Sequence, residues 1–293
     1  MTLVIILIVL LVGTLIFHFT SPWWFTEVAS NWGSIDDTVI LTFWVTGIVF
    51  IILNVFLIWV VIRYRHREGQ TAHYEPENHR REWGLTTFTA VGVVAMLAPG
   101  LLDWGKVITV PDDAVEVEAV GRQWNWTFRY PGDDGTLGKS GIPFISVDNP
   151  LGIDPEDPAG LDDVVVNAPV MHLAKGRPVK LLLRSIDVLH NFAVPQFRVK
   201  MDLVPGLVSY LWLTPTRTGT FEILCEELCG IAHFTMRGKV VVDEPADYDN
   251  WLDAQPTYAE TASHAAGDAG AGAASYAVCG SCHGPKGEGN QAL

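Results

Sequence analysis

T-F-E-I-L-C-E-E-L-C-G-I-A-H-F-T-M-R-G-K-V-V-V, Thr220 to Val242, sets a ligand-rich loop between two strand-like runs. Cys225, Cys229, His233 and Met236 place two thiols, an imidazole and a thioether in that loop. These are soft or borderline donors that suit copper or zinc better than hard cations, and a distant axial methionine marks copper electron-transfer centres. Structural zinc would have little use for Met236. The spacing of the two thiols lets one tight loop aim both at one point. An upstream ligand is still wanted, and His190 supplies it. It lies in S-I-D-V-L-H-N-F-A-V-P, Ser185 to Pro195, where it ends the strand begun by the apolar run Val179 to Leu183. The competing reading is a disulfide between Cys225 and Cys229, which an oxidising compartment permits. The specificity of the motif argues against it.

Further β-branched or alternating runs surround this stretch: Val115 to Val120, Trp124 to Tyr130, Val164 to Val166, Val179 to Leu183 and Leu207 to Leu213. Gly, Pro and Asp space them, as in an all-β domain. Residues 105–245 therefore read as a Greek-key β-sandwich, long enough for one core. Residues 131–163, rich in Gly, Asp and Pro, read as a surface insertion. Asp154, Glu156, Asp157, Asp162 and Asp163 lack the regular spacing of a calcium loop, so a solvated loop is the expectation there.

The first 104 residues differ in kind. Residues 1–26, 38–62 and 84–102 carry no Lys, Arg, Asp or Glu. A membrane span needs about 20 mainly apolar residues. Segments 38–62 and 83–104 read as a transmembrane hairpin. Its connection holds Arg63, Arg65, Arg67, Arg80 and Arg81, whereas residues 20–36 hold no Lys or Arg. The positive-inside rule makes that loop cytoplasmic and everything after Trp104 external. Segment 1–26 reads as an extra helix or a signal segment. It has no basic leader and no small-residue cleavage site ahead of Trp23 and Trp24, which favours a retained helix. Trp23, Trp24 and Trp104 then fall at the outer interface or pack on other subunits.

Ser185 to Pro195, Cys225 to Met236 and G-R-Q-W-N-W-T-F at Gly121 to Phe128 together closely resemble subunit II of the haem-copper cytochrome c oxidases. The resemblance spans roughly residues 35 to 245. It implies a cupredoxin fold and a binuclear CuA centre. Cys225 and Cys229 would bridge two coppers, His190 and His233 would each give a nitrogen, and Met236 and the Glu227 carbonyl would be weak axial ligands. Trp124 would take electrons from cytochrome c, although Asn125 stands where the family often has Tyr. The Glu227 carboxylate would reach a magnesium ion shared with subunit I, while Glu226 stays solvated. Glu82 sits near the family's proton inlet, but E-W-G-L-T matches imperfectly and an interfacial charge is the expectation. The implied setting is a bacterial inner (plasma) membrane, in lipid, with the C-terminal domain periplasmic and oxidase subunit I as partner.

Cys279, Cys282 and His283 form C-x-x-C-H, the attachment signature of haem c. Residues 276–293 resemble the beginning of a small α-helical cytochrome c domain. The sequence breaks off within that pattern, so truncation is the expectation. Residues 246–275 read as a linker, and 254–275, rich in Ala and Gly, as a flexible tether.

The formal charge is −14, with 14 basic against 25 acidic residues from Lys106 onward. Such a surface favours a basic protein donor and lacks the basic patch that nucleic-acid binding needs. The sequence reading is an electron-accepting subunit of a respiratory oxidase. The alternatives are a CuA subunit of a membrane nitric oxide reductase and a membrane-anchored copper-binding or assembly protein.

Overall fold

A computed structural model describes residues 2–21, 26–71 and 74–265. Three helices come first: α1 (Thr2–Thr20), α2 (Gly33–Arg63) and α3 (His79–Val107). Each is long and apolar enough to cross a membrane, with mean hydropathies of 2.8, 2.8 and 1.9. Their apolar side chains lie largely on the surface, among them Phe17, Trp44, Phe56 and Phe88. That outward apolar face suits lipid or neighbouring subunits rather than water. Asn78 caps α3 by accepting from the Arg81 N–H at 3.1 Å, and Glu82 reaches back to the Asn78 N–H at 3.4 Å. Glu82 thus closes a reciprocal cap at the start of α3. Trp104 is exposed near the other end of that helix; Trp23 and Trp24 lie outside the described residues.

The β-domain has ten strands. They are β1 (Val115–Arg122), β2 (Asn125–Tyr130), β3 (Val164–Val166), β4 (Val170–Ala174), β5 (Val179–Ser185), β6 (His190–Val194), β7 (Val199–Leu203), β8 (Ser209–Leu213), β9 (Gly219–Cys225) and β10 (Arg237–Asp243). One sheet runs β3-β2-β1-β5-β8 and the other β4-β10-β9-β6-β7. Parallel pairs β1–β5 and β4–β10 tie together otherwise antiparallel sheets. Alternating inward residues such as Val179, Leu181 and Leu183 on β5 fill the space between the sheets. Trp126, Phe128 and Tyr130 line the inner face of β2 with no exposure. The expected membrane helices followed by a β-sandwich are therefore what the chain forms.

Three details differ from expectation. His190 does not end the Val179 strand: β5 stops at Ser185, and after a turn His190 begins β6 in the opposite sheet. All five residues of β6 are buried, so the strand has no alternation by which to be read. The insertion 131–163 is not a solvated loop throughout. It contains a short helix α4 (Pro158–Leu161) and packs Leu151, Ile153 and Asp163 into the interior. Finally, the stretch read as a linker opens with α5 (Pro245–Asp253) and α6 (Tyr258–Ala265). Trp251 of α5 stacks on His172 with ring centroids 4.0 Å apart and meets Tyr130 edge-on at 5.3 Å. Thr257 and Glu260 cap α6 reciprocally, at 2.9 and 3.3 Å.

The strap ahead of α2 belongs to the β-domain. Ala29 is wholly buried, its N–H donates to Gln196 O at 2.8 Å, and its carbonyl accepts from the Thr216 N–H at 2.9 Å. Trp32 is buried against Trp212, with ring centroids 4.7 Å apart.

Candidate metal centre

The donor residues come from two neighbouring strands and one loop. Phe192 of β6 faces Cys225 of β9 across the sheet, so His190 lies beside the end of β9. The loop leaving Cys225 returns through a single 3-10 turn, His233–Thr235, to Met236, whose carbonyl accepts from the Cys225 N–H at 3.3 Å. Gly230 turns that loop at φ +122°, a conformation L side chains rarely adopt. A Cβ there would stand 2.9 Å from Gln123 Nε2 and 3.1 Å from the Trp124 ring.

The result is convergence. The two thiols are free and buried, with Sγ atoms 3.8 Å apart, well beyond the S–S bond length of about 2.0 Å. Cys225 Sγ is 4.0 Å from His190 Nδ1 and 3.3 Å from the Glu227 carbonyl. Cys229 Sγ is 3.4 Å from His233 Nδ1 and 3.8 Å from Met236 Sδ. His190 and Met236 are almost wholly buried. Among the described residues, His190, Cys225 and Cys229 form the grouping of three whose ligand atoms fall within 4.8 Å of one another. Asp154, Glu156, Asp157, Asp162 and Asp163 make no such grouping.

Electrostatics separate the two thiols. Burial works against a thiolate at Cys225, but hydrogen bonds from His190 and from the backbone at Asn191 and Glu227 bring its pKa down to about 6. Burial, and then the neighbouring Cys225, push Cys229 up to about 11. Of the two, Cys225 is the thiol that ionises first. At His190 burial opposes protonation, yet Cys225 and Asp187 hold its pKa above the usual histidine value.

Asp187 organises the surroundings, a role the sequence reading did not assign. Its carboxylate meets His190 Nε2 at 2.8 Å and accepts from the Gln123 N–H at 2.7 Å. A carboxylate on the outer imidazole nitrogen fixes the ring and leaves Nδ1 facing inward. Gln123 Nε2 and Trp124 Nε1 both donate to the Cys229 carbonyl, at 2.8 and 3.2 Å. Trp124 lies half-buried in the turn before β2, over the cysteine loop, whereas Trp126 is sealed in the core with its ring 6.5 Å from His190. Leu228, Ile231 and Phe234 stand exposed around the loop. Glu226 pairs with Lys200 at 3.3 Å at the surface. Cys279, Cys282 and His283 lie outside the described residues.

A β-sandwich carrying a buried thiol, imidazole and thioether cluster at one end, on apolar helices, defines a membrane-anchored protein with a soft-metal centre. The comparisons give the family. Residues 115–244 match the family described as cytochrome C oxidase subunit II, periplasmic domain. The alternative cytochrome c oxidase subunit 2 of Bradyrhizobium diazoefficiens is 54% identical over 259 residues, 88% of this chain and 94% of that protein. Cytochrome c oxidase subunit 2 of Cereibacter sphaeroides is 28% identical over 225 residues, 72% of this chain and 74% of that one. The solved periplasmic domain of cytochrome oxidase subunit II from Bradyrhizobium japonicum aligns at 28% identity, 50% of this chain and 96% of that chain, with a TM-score of 0.37. The chain belongs to the cytochrome c oxidase subunit II family. It is thus a subunit of an oxidoreductase complex, anchored by apolar helices, with a cupredoxin-like domain that matches the family's periplasmic domain.

Proposed function

We propose that the cluster holds a binuclear CuA centre and that the chain takes electrons from cytochrome c and passes them to the haem-copper site of subunit I. The observation that carries this is the meeting of six donors in one place: the Cys225 and Cys229 thiols, His190 and His233 Nδ1, Met236 Sδ and the Glu227 carbonyl. That donor set is soft, and its thiols lie side by side as bridging ligands would. When bound, a copper pair held by these residues would supply one-electron transfer, with the electron shared over both metals.

The chain's own residues do the rest. Asp187 holds the His190 ring, and burial keeps water from His190, Cys225, Cys229 and Met236. Little movement is then needed when the charge changes. Trp124, hydrogen-bonded to the Cys229 carbonyl, is the surface group through which electrons arrive. The Glu227 carboxylate binds magnesium at the boundary with subunit I. Cys279, Cys282 and His283 bind haem c. The three helices pass through the bacterial inner membrane, surrounded by lipid and partner subunits, and leave the β-domain on the periplasmic side.

Copper analysis with electron paramagnetic resonance on the purified full chain tests the centre. Two coppers per chain with a mixed-valence hyperfine pattern are expected. One copper, or a silent zinc, would turn the reading toward metal delivery or a structural role.

A further inference from the structure

Arg198 is the non-glycine residue with positive φ among the described residues, at φ 57° and ψ 30°. A left-handed conformation is uncommon for a long side chain and persists only where the surroundings hold it. Here they do. Nε donates to Asp36 Oδ1 at 2.6 Å and one terminal nitrogen donates to Asp36 Oδ2 at 2.8 Å, a two-point fork on the first turn of α2. The guanidinium also donates to the Pro195 and Thr26 carbonyls. Both charged side chains are mostly covered, at 11% and 17% exposure, so water screens this pair less than an ordinary surface bridge.

Its place in the topology matters more than its strength. β6 and β7 form an antiparallel hairpin in which His190 pairs with Leu203 at one end. Arg198 occupies the turn at the other end, between Phe197 and Val199. The strand carrying a metal-ligand candidate is therefore pinned at its far tip to a membrane helix. The strap beside it adds a second hold: Ser30 Oγ donates to Phe197 O at 2.7 Å, in the residue just before Arg198.

We propose that Arg198 is a positioning residue which, through Asp36, fixes the tilt of the His190 hairpin on the membrane helices and so sets how fast electrons leave the centre for the partner subunit. This rests on the copper reading given above. Loss of the fork leaves the ligands intact but frees the domain to rock about the strap. Electron transfer outward depends on a fixed geometry between two chains, whereas uptake from a diffusing donor does not.

The test uses the assembled oxidase with Arg198→Gly, Asp36→Asn and the two combined. Glycine suits the left-handed turn, so Arg198→Gly removes the fork without straining the hairpin. The expected result is wild-type copper content, spectrum and uptake from cytochrome c, with outward transfer roughly tenfold slower in each single variant. The double variant should be no slower than Arg198→Gly, in which the fork to Asp36 is already gone. Protease nicking of the strap, residues 26–32, in membranes should rise in all three, a readout that needs no copper. Outward transfer at the wild-type rate in both single variants would overturn the proposal, as would equal slowing of uptake or loss of copper. A wild-type chain without the mixed-valence signal would instead remove the copper reading and leave the nicking result to judge the latch.

Discussion

Two buried polar clusters sit in the same sandwich and behave in opposite ways. In the β3-β2-β1-β5-β8 sheet, Arg129 donates to Asp163 and to the Gly138 carbonyl, approaches Glu118 at 3.7 Å, and Glu118 in turn meets Arg184 at 3.0 Å. Two cations face two carboxylates, and the charges cancel within the protein. At the end of the other sheet, His190, Cys225 and Cys229 face one another with Asp187 as the nearby full charge. Hard groups that pair one to one close on themselves. Soft donors that converge from two strands and a loop without pairing off one to one point at a common centre, and that contrast separates a structural network from a ligand site.

The largest effect should come from opening the second cluster. Cys225→Ser replaces one of the two thiolates with a hydroxyl that does not ionise at neutral pH. The mixed-valence signal and electron uptake should both vanish while the chain still inserts in membranes. Normal cytochrome c oxidation by that variant would end the assignment.

Breaking the first cluster should cost stability and leave the metal chemistry alone. Arg129→Met strands Asp163 without its cation, while Glu118 keeps Arg184, and breaking such a buried pair typically costs about 3–5 kcal/mol. Pairing it with Asp163→Leu should recover part of that loss. The pH dependence has a definite sign. Burial, opposed by Arg129, already puts the Asp163 pKa up to about 6, above the ordinary 3.8. Without Arg129 it rises further, so the folded variant keeps its proton over a wider range than the unfolded chain. Its deficit against wild type should therefore be full above the variant's own raised pKa, shrink as the pH falls from there towards about 6, and change little below that, where both folded proteins carry the proton. Denaturant melts at several pH values read this directly, and a deficit that grew on acidification would contradict the pairing.

The same contrast explains what the sequence could tell. The soft donors announced themselves because thiols, imidazole and thioether at loop spacing have few other uses, and the membrane helices were plain from their charge-free runs. In sequence Asp163 looks like part of a solvated loop, because a carboxylate in a Gly- and Pro-rich stretch looks the same whether or not an arginine far along the chain reaches it. β6 was hidden for the opposite reason: H-N-F-A-V is buried on both faces, so no period marks it. The cap of α6 had a readable signature in Thr257 and Glu260, three apart. Trp32 and Arg198 had none, since their partners Trp212 and Asp36 are set by tertiary docking alone.

Asp187→Asn sharpens the comparison by removing the carboxylate charge that meets His190 while keeping its shape. The amide can still meet His190 Nε2, but not as an anion. Loss of such a partner costs about 10- to 100-fold in metal affinity. Copper should still bind at high concentration and be lost sooner to a chelator than in wild type. An unchanged chelator competition would mean that the donors alone set the affinity.

The smallest change is expected from Gly230→Ala, and it separates holding the metal from reaching it. The new methyl meets Gln123 Nε2 and the Trp124 ring, and the backbone must either keep φ +122° at a cost of about 1–3 kcal/mol or relax. Gln123 is exposed and can swing away; Trp124, half-buried over the loop, has less freedom. The indole should therefore tilt off the Cys229 carbonyl while the five side-chain donors stay in place, His190 and Cys225 on strands and Met236 at the start of β10. Copper content should match wild type and uptake from cytochrome c should slow by several-fold. If copper is lost and uptake per remaining copper is normal, Gly230 serves the shape of the ligand loop and Trp124 is packing.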